Sequence, residues 1–167
     1  MATIIKKNIT KIKWYHRREP KDDYMKNWRI IKYWAMKRYL ISQADLELVL
    51  ELYSEGLFTI KDFNRYCLTK TWNKKRLDQM IESGFIHAFR KRHSYSAAQY
   101  ELTQSARKMC ASIYRKLNGQ EAISESPVHN PIYRPANDSY SNRQLRKAIR
   151  EVNIRNGLTQ KPSLLFE

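Results

Sequence analysis

From Asp23 onward apolar residues recur at helical spacing. Tyr24, Trp28, Ile31, Trp34, Ala35 and Tyr39 share one stripe and predict a helix running to about Leu40. Its opposite face carries Lys26, Arg29, Lys32 and Arg38. Ser42 with Asp45 three residues on makes a capping box for a second helix. Leu46, Val49, Leu50 and Tyr53 are its expected inward stripe, and Gly56 is its stop. Thr59 and Asp62 repeat the box, and Ile60, Phe63, Tyr66 and Cys67 then line a short helix ending near Leu68. Thr71 precedes a further helix with Leu77, Met80 and Ile81 inward, closed by Gly84. Three short capped helices with brief connections predict a tight tri-helical unit.

After Gly84 the period changes. Phe85-Ile86-His87-Ala88-Phe89 alternates like a strand, the polar stretch RKRHSYSAAQ turns the chain, and Tyr100-Glu101-Leu102 returns as a second strand. Thr103 caps a long helix with Ala106, Met109, Cys110, Ile113, Tyr114 and Leu117 on one face, ended by Gly119. Residues 120–140 read as a linker, because Pro127, Pro131 and Pro135 interrupt any helix among polar neighbours. Ser141 caps an expected basic amphipathic helix with Leu145, Ala148, Ile149 and Val152 inward, stopped by Gly157. At the other end, residues 3–14 mix β-branched and basic positions and read as a strand or an extended arm, with Pro20 ahead of the first helix. The expected plan is therefore a basic arm (1–22), a helical domain with a hairpin (23–119), a Pro-punctuated linker (120–140), and a helix with an apolar KPSLLFE tail (141–167).

Charge sharpens this picture. The 167 residues hold 32 Lys and Arg against 16 Asp and Glu, a formal net charge of +16. Residues 1–40 alone contribute twelve basic and three acidic side chains. Asp45, Glu47, Glu51 and Glu55 gather on one helix, whereas Lys70, Lys74, Lys75, Arg76, Arg90, Lys91 and Arg92 follow later, so the molecule has a basic and an acidic side. Such an excess repels itself and calls for a polyanionic partner. With 42% hydrophobic residues the chain can fill a core, yet no apolar run is long enough to span a bilayer. The basic helices also lack the broad Trp/Leu face of an interfacial anchor, so no membrane partner is expected. The opening residues contain no long apolar stretch and predict no secretory leader, which together with unspaced Cys67 and Cys110 points to a reducing, cytoplasmic setting.

Little here suggests catalysis. His16, His87, His93 and His129 share no ligand spacing, neither cysteine lies near one of them, and Asp22 with Asp23 is explained by helix capping. With only four glycines there is no Gly-rich phosphate loop. The reading is of a binding protein without a cofactor, metal or reaction.

Helix, short helix, basic helix, hairpin and helix is the order of a winged helix-turn-helix, and the fold class expected is mainly α with a small β-hairpin wing and extended amino- and carboxy-terminal arms. At Leu77, Met80, Gly84-Phe85-Ile86 and Tyr100-Glu101-Leu102-Thr103 the chain resembles the MarR-type transcriptional regulators, over roughly residues 24–118. The resemblance implies a recognition helix at about 71–83 that presents Lys74 and Lys75 to double-stranded DNA. It also implies a leading helix that helps form a homodimer, with pairing near 24–40 and 104–118. Lys70 and Arg76 extend the basic cluster, and Arg90, Lys91 and Arg92 would serve the wing. Asn73 and Gln79 are added because both side chains can read base edges. Where the family has an apolar residue this chain has Asn73, and between Phe89 and Tyr100 there is no acidic residue to form the family's wing-bracing Asp-x-Arg.

Two further readings stand beside this one. Lys74-Lys75-Arg76 can be an ordinary solvated helix face, and Trp28, Trp34, Tyr24 and Tyr39 are better placed for packing than for base stacking. Residues 1–22 and 120–167 can serve as arms docking onto other protein subunits. The chain would then be a structural component of a nucleoprotein assembly, for example a phage head, connector or packaging protein, located in a virion.

Overall fold

The computed structural model describes residues 25–67 and 73–159. The expectations placed on the arm 1–22, on Tyr24, on Lys70, Thr71 and Trp72, and on the tail from residue 160 lie outside them, as do the side chains of Lys26, Tyr66 and Cys67. The chain is mainly helical with one small antiparallel sheet. Helices α1 (Met25–Tyr39), α2 (Gln43–Glu55), α3 (Ile60–Cys67), α4 (Lys74–Glu82), α5 (Gln104–Leu117) and α6 (Tyr140–Arg155) are joined by strands β1 (Phe58–Thr59), β2 (Ile86–Arg90) and β3 (Gln99–Leu102).

Local chemistry accounts for most boundaries. Ser42 Oγ accepts from Asp45 N–H at 3.2 Å, and Thr103 Oγ1 accepts from Ala106 N–H at 3.3 Å, so both helices start on the expected caps. Thr59 and Asp62 form the second box, with Thr59 N–H donating to Asp62 Oδ2 at 3.0 Å. Those two hydrogen bonds, from the backbone and the hydroxyl of Thr59, hold the Asp62 carboxyl below its usual range. Helix α4 is capped by Asn73, and one cap differs from expectation: Ser139, not Ser141, caps α6.

The sheet has the order β1-β3-β2. Phe58 lies opposite Tyr100, and Ile86 opposite Leu102, with a register shift between Ala88 and Arg90. Strand β1 was not foreseen, since two residues are too few to show a period. It nonetheless ties the α2–α3 connection to the hairpin, with Phe58 stacked on Tyr100 at 6.0 Å.

One core holds the described residues together. Ile31, Trp34 and Ala35 from α1 meet Leu46, Val49 and Leu52 from α2, and Met109, Cys110 and Ile113 from α5. Leu77 and Met80 fasten α4 to it, as their spacing predicted. Leu48 and Leu52 replace the expected Leu50 and Tyr53 as full core members; Tyr53 instead stacks on Tyr114 near the surface.

The region expected as a linker is part of this core. Ile123 and Ile132 are buried beside Ile149 and Val152 of α6. The prolines start turns here instead of breaking them: Pro131 and Pro135 each open a short 3-10 turn, at Pro131–Tyr133 and Pro135–Asn137. Buried Asn130 caps the first through Ile132 N–H at 3.1 Å and donates to Ser124 O at 2.8 Å. Asn153 on α6 accepts from Ile123 N–H and donates to Ile123 O, both at 2.9 Å, so its amide acts as a one-residue strand partner. Residues 121–155 thereby pack onto their own α1, which covers part of the helix expected to pair with a second copy.

Candidate nucleic-acid interface

The expected site residues separate into two groups. Lys74, Lys75 and Gln79 lie on the exposed side of α4, away from Leu77 and Met80. The amino-terminal turn of this face is cationic, and the helix dipole adds to that polarity. Asp78 and Glu82 occupy the later turns of the same face. Any polyanion is therefore favoured at the start of α4 and disfavoured at its end.

Arg76 and Asn73 are placed differently from expectation. The Arg76 guanidinium donates from Nε to Asp45 Oδ1 at 2.6 Å and from Nη2 to Ser42 Oγ at 3.0 Å, with both ion-pair side chains largely covered. Arg76 is thus a clamp binding α4 to the first turn of α2, since its fork is already filled by a carboxylate. Asn73 has extended backbone geometry (φ −130°, ψ 173°), and its Oδ1 accepts from Arg76 N–H at 3.0 Å. Bidentate reading of adenine needs the amide oxygen and nitrogen together. With the oxygen committed to the cap, Asn73 is a structural residue of α4.

Arg90 ends β2, and Lys91 and Arg92 follow it, all exposed. Beyond them His93 and Ser96 close a tight turn through paired backbone hydrogen bonds of 3.1 and 3.0 Å. Tyr95 stands at its tip, 99% exposed. A cleft of about 370 Å³ opens between this tip and the start of α3, with Lys61, Arg92, His93 and Ser94 in its walls and no carboxylate among its lining residues. Lys61 was missed by sequence reasoning. It lies 25 residues before the hairpin begins at Ile86, and the β1–β3 pairing brings that stretch of chain to the hairpin.

The hairpin base is braced from the far strand. Glu101 on β3 faces His87 Nε2 at 3.1 Å and takes Arg107 of α5 on its other oxygen. No Asp-x-Arg exists in this hairpin, yet a carboxylate still ties strand to helix. Thr103 Oγ1 also donates to Gly84 O at 2.8 Å, closing the α4–β2 corner against α5.

Around α5 and α6 several cations are instead held by internal partners, while Lys147 and Arg155 stay exposed. Arg146 donates to Ile132 O at 2.8 Å, Arg134 O at 3.3 Å and Asp138 at 2.8 Å. Lys116, only 4% exposed, pairs with Glu121 and sits 4.6 Å from the Trp34 ring centroid. Burial draws the Lys116 ammonium below its ordinary value, offset in part by Glu121. Burial works against ionised Glu121 as well, but hydrogen bonds from Lys116, Ser112 and Arg115 outweigh it and hold the carboxyl low. Buried Cys110 has its thiol pushed up to about 12 by desolvation.

Among the described residues no three His, Cys, Asp or Glu side chains are grouped so as to hold a metal ion, and no helix is long and apolar enough to cross a membrane. Neither a protein-family model, nor a curated protein, nor a solved structure matches this chain.

Proposed function

We propose that this chain is a double-stranded-DNA-binding protein of winged-helix type, akin to the MarR-type regulators, in which α4 enters the major groove and the β2–β3 hairpin lies against the neighbouring backbone. The observation that carries the reading is the cationic first turn of α4. Lys74 and Lys75 are exposed there while Arg76, between them and the core, is bolted to Asp45. A helix start held rigidly in this way presents its charges without a further ordering cost. The β1-β3-β2 sheet supports the same reading, because its central strand anchors both the hairpin and the connection leading into α3. The role assigned is binding, with no reaction.

The test is fluorescence anisotropy with a labelled duplex over a series of salt concentrations. Each phosphate contact contributes about one unit to the slope of log K against log salt. The double variant Lys74→Glu/Lys75→Glu is expected to bind about a hundredfold more weakly and to lose about two units of slope. Absence of any salt-dependent duplex binding by the unaltered chain overturns the reading.

The alternative, a structural part of a nucleoprotein assembly, is favoured by one feature. Tyr33 on α1 and Tyr140 at the start of α6 are 42% and 71% exposed, large apolar surfaces suited to a neighbouring subunit. Native mass measurement with and without duplex separates the two readings, since assembly predicts a large oligomer that forms without DNA.

A further inference from the structure

The corner where α1 turns into α2 carries an unusual residue. Leu40 adopts φ +52°, the one non-glycine residue with positive φ among those described, and is 91% exposed. The chain reverses here in a helix-ending turn: Ile41 N–H donates to Met36 O at 3.3 Å, and Ile41 enters the core. Glycine is the residue such a position ordinarily takes, because a Cβ there crowds the backbone. A leucine at this site is strained, and it also leaves a large apolar side chain in water. Neither cost is repaid inside the fold.

The corner's place in the molecule suggests what repays it. Leu40 is two residues from Ser42, whose hydroxyl receives the Arg76 guanidinium at 3.0 Å. Two backbone steps of about 3.8 Å therefore separate Leu40 from the clamp that holds the start of α4. Lys32 Nζ donates to Gln43 Oε1 at 3.1 Å, which fixes α1 against the same end of α2. Exposed Arg38 precedes Leu40 on this corner, and Lys74 and Lys75 follow from the clamp. The carboxylates nearby are engaged: Asp45 holds Arg76, and Glu47 accepts from Gln43 Nε2 at 2.9 Å. What remains exposed at the corner is an apolar knob with exposed Arg38 two residues before it.

We infer that Leu40 and Arg38 form a second duplex contact. Arg38 meets a phosphate flanking the groove entered by α4, and Leu40 packs on the adjoining deoxyribose. This rests on the DNA-binding reading and extends it to a corner outside the helix and hairpin. A protein partner fits less well, because exposed Arg38 adjoins the knob and the nearby clamp leads into the cationic start of α4, which favours a regular polyanion.

The test pairs affinity with stability in the full chain. Leu40→Gly relieves the backbone strain, so thermal denaturation is expected to shift upward by about 2–4 °C. The same variant is expected to bind a duplex about three- to tenfold more weakly, a loss that a purely structural leucine would not produce. Leu40→Asn, which tolerates left-handed geometry and removes the apolar surface, should match the affinity loss. Arg38→Gln should lower the salt slope by about one unit. If all three variants bind like the unaltered chain while Lys74→Glu/Lys75→Glu does not, the corner contact is refuted and the DNA-binding reading stands. If the unaltered chain binds no duplex, the reading and the corner contact fall together.

Discussion

The α4 side and the α6 side of this protein are both rich in cations, and they divide them differently between internal partners and solvent. Along residues 121–155, Arg146 ties down two backbone carbonyls and Asp138 and Arg150 reaches Glu125, while Lys116 at the end of α5 lies buried against Glu121 and Trp34. On the α4 side, Lys74, Lys75, Arg90, Lys91 and Arg92 are exposed, and among the described residues they form no ion pair. Net charge thus overstates the charge on offer to a partner. An arginine whose donors are filled by carbonyls and carboxylates is a cross-link, whereas a lysine on a solvated helix start is a contact waiting for an anion.

The contrast is broken most severely by removing the polar hinge of the α6 side. Asn153→Ala leaves both backbone groups of Ile123 buried and unpaired, at a cost of about 1–3 kcal/mol each. Urea unfolding should show the loss, while duplex affinity of the folded fraction stays unchanged. A stability change under about 1 kcal/mol would mean that water replaces the amide and that this region is less tightly built than described.

The next largest effect separates neighbours on α4. Arg76→Gln breaks the clamp to Asp45 and Ser42 and is expected to cost about 1–2 kcal/mol of stability, reflecting a partly covered pair between the exposed and buried limits. Lys75→Gln should leave stability within about 0.5 kcal/mol but remove about one unit of salt slope. Equal slopes for the two variants would erase the distinction between clamp and contact.

Acid sharpens the comparison further. The folded-state pKa of Glu121 lies below its ordinary 4.5. Its contribution is fully present above that ordinary value and is lost as pH falls through the folded one, because the unfolded chain takes up the proton first. Protonation also strips Lys116 of its partner. Melting temperature should therefore drop more steeply below pH 4.5 in the unaltered protein than in Glu121→Gln. Parallel acid profiles for the two proteins would deny the pair this role.

Much of the α4 side could be read from the sequence because its signals are local. Capping by Ser42, Thr59 and Thr103 depends on atoms three residues apart, and the inward stripe Leu77, Met80 on helical repeat alone. Residues 121–139 were illegible for the opposite reason. Prolines and polar side chains at that density normally mark a linker, and what orders them here is Asn153, 30 residues away. Strand β1 and the Lys61 wall of the hairpin cleft were hidden likewise, by partners some forty residues downstream on β3.

By itself the sequence determined most of the helices, the hairpin, the caps at Ser42, Thr59 and Thr103 and the excess of positive charge, since propensity, periodicity and composition need no knowledge of the fold. Only the tertiary structure decided which cations are available. Arg76 and Lys75 are adjacent and alike on paper. One is used up because the fold carries Asp45 to within 2.6 Å of it, and the other faces solvent because a helix turns 100° between neighbours.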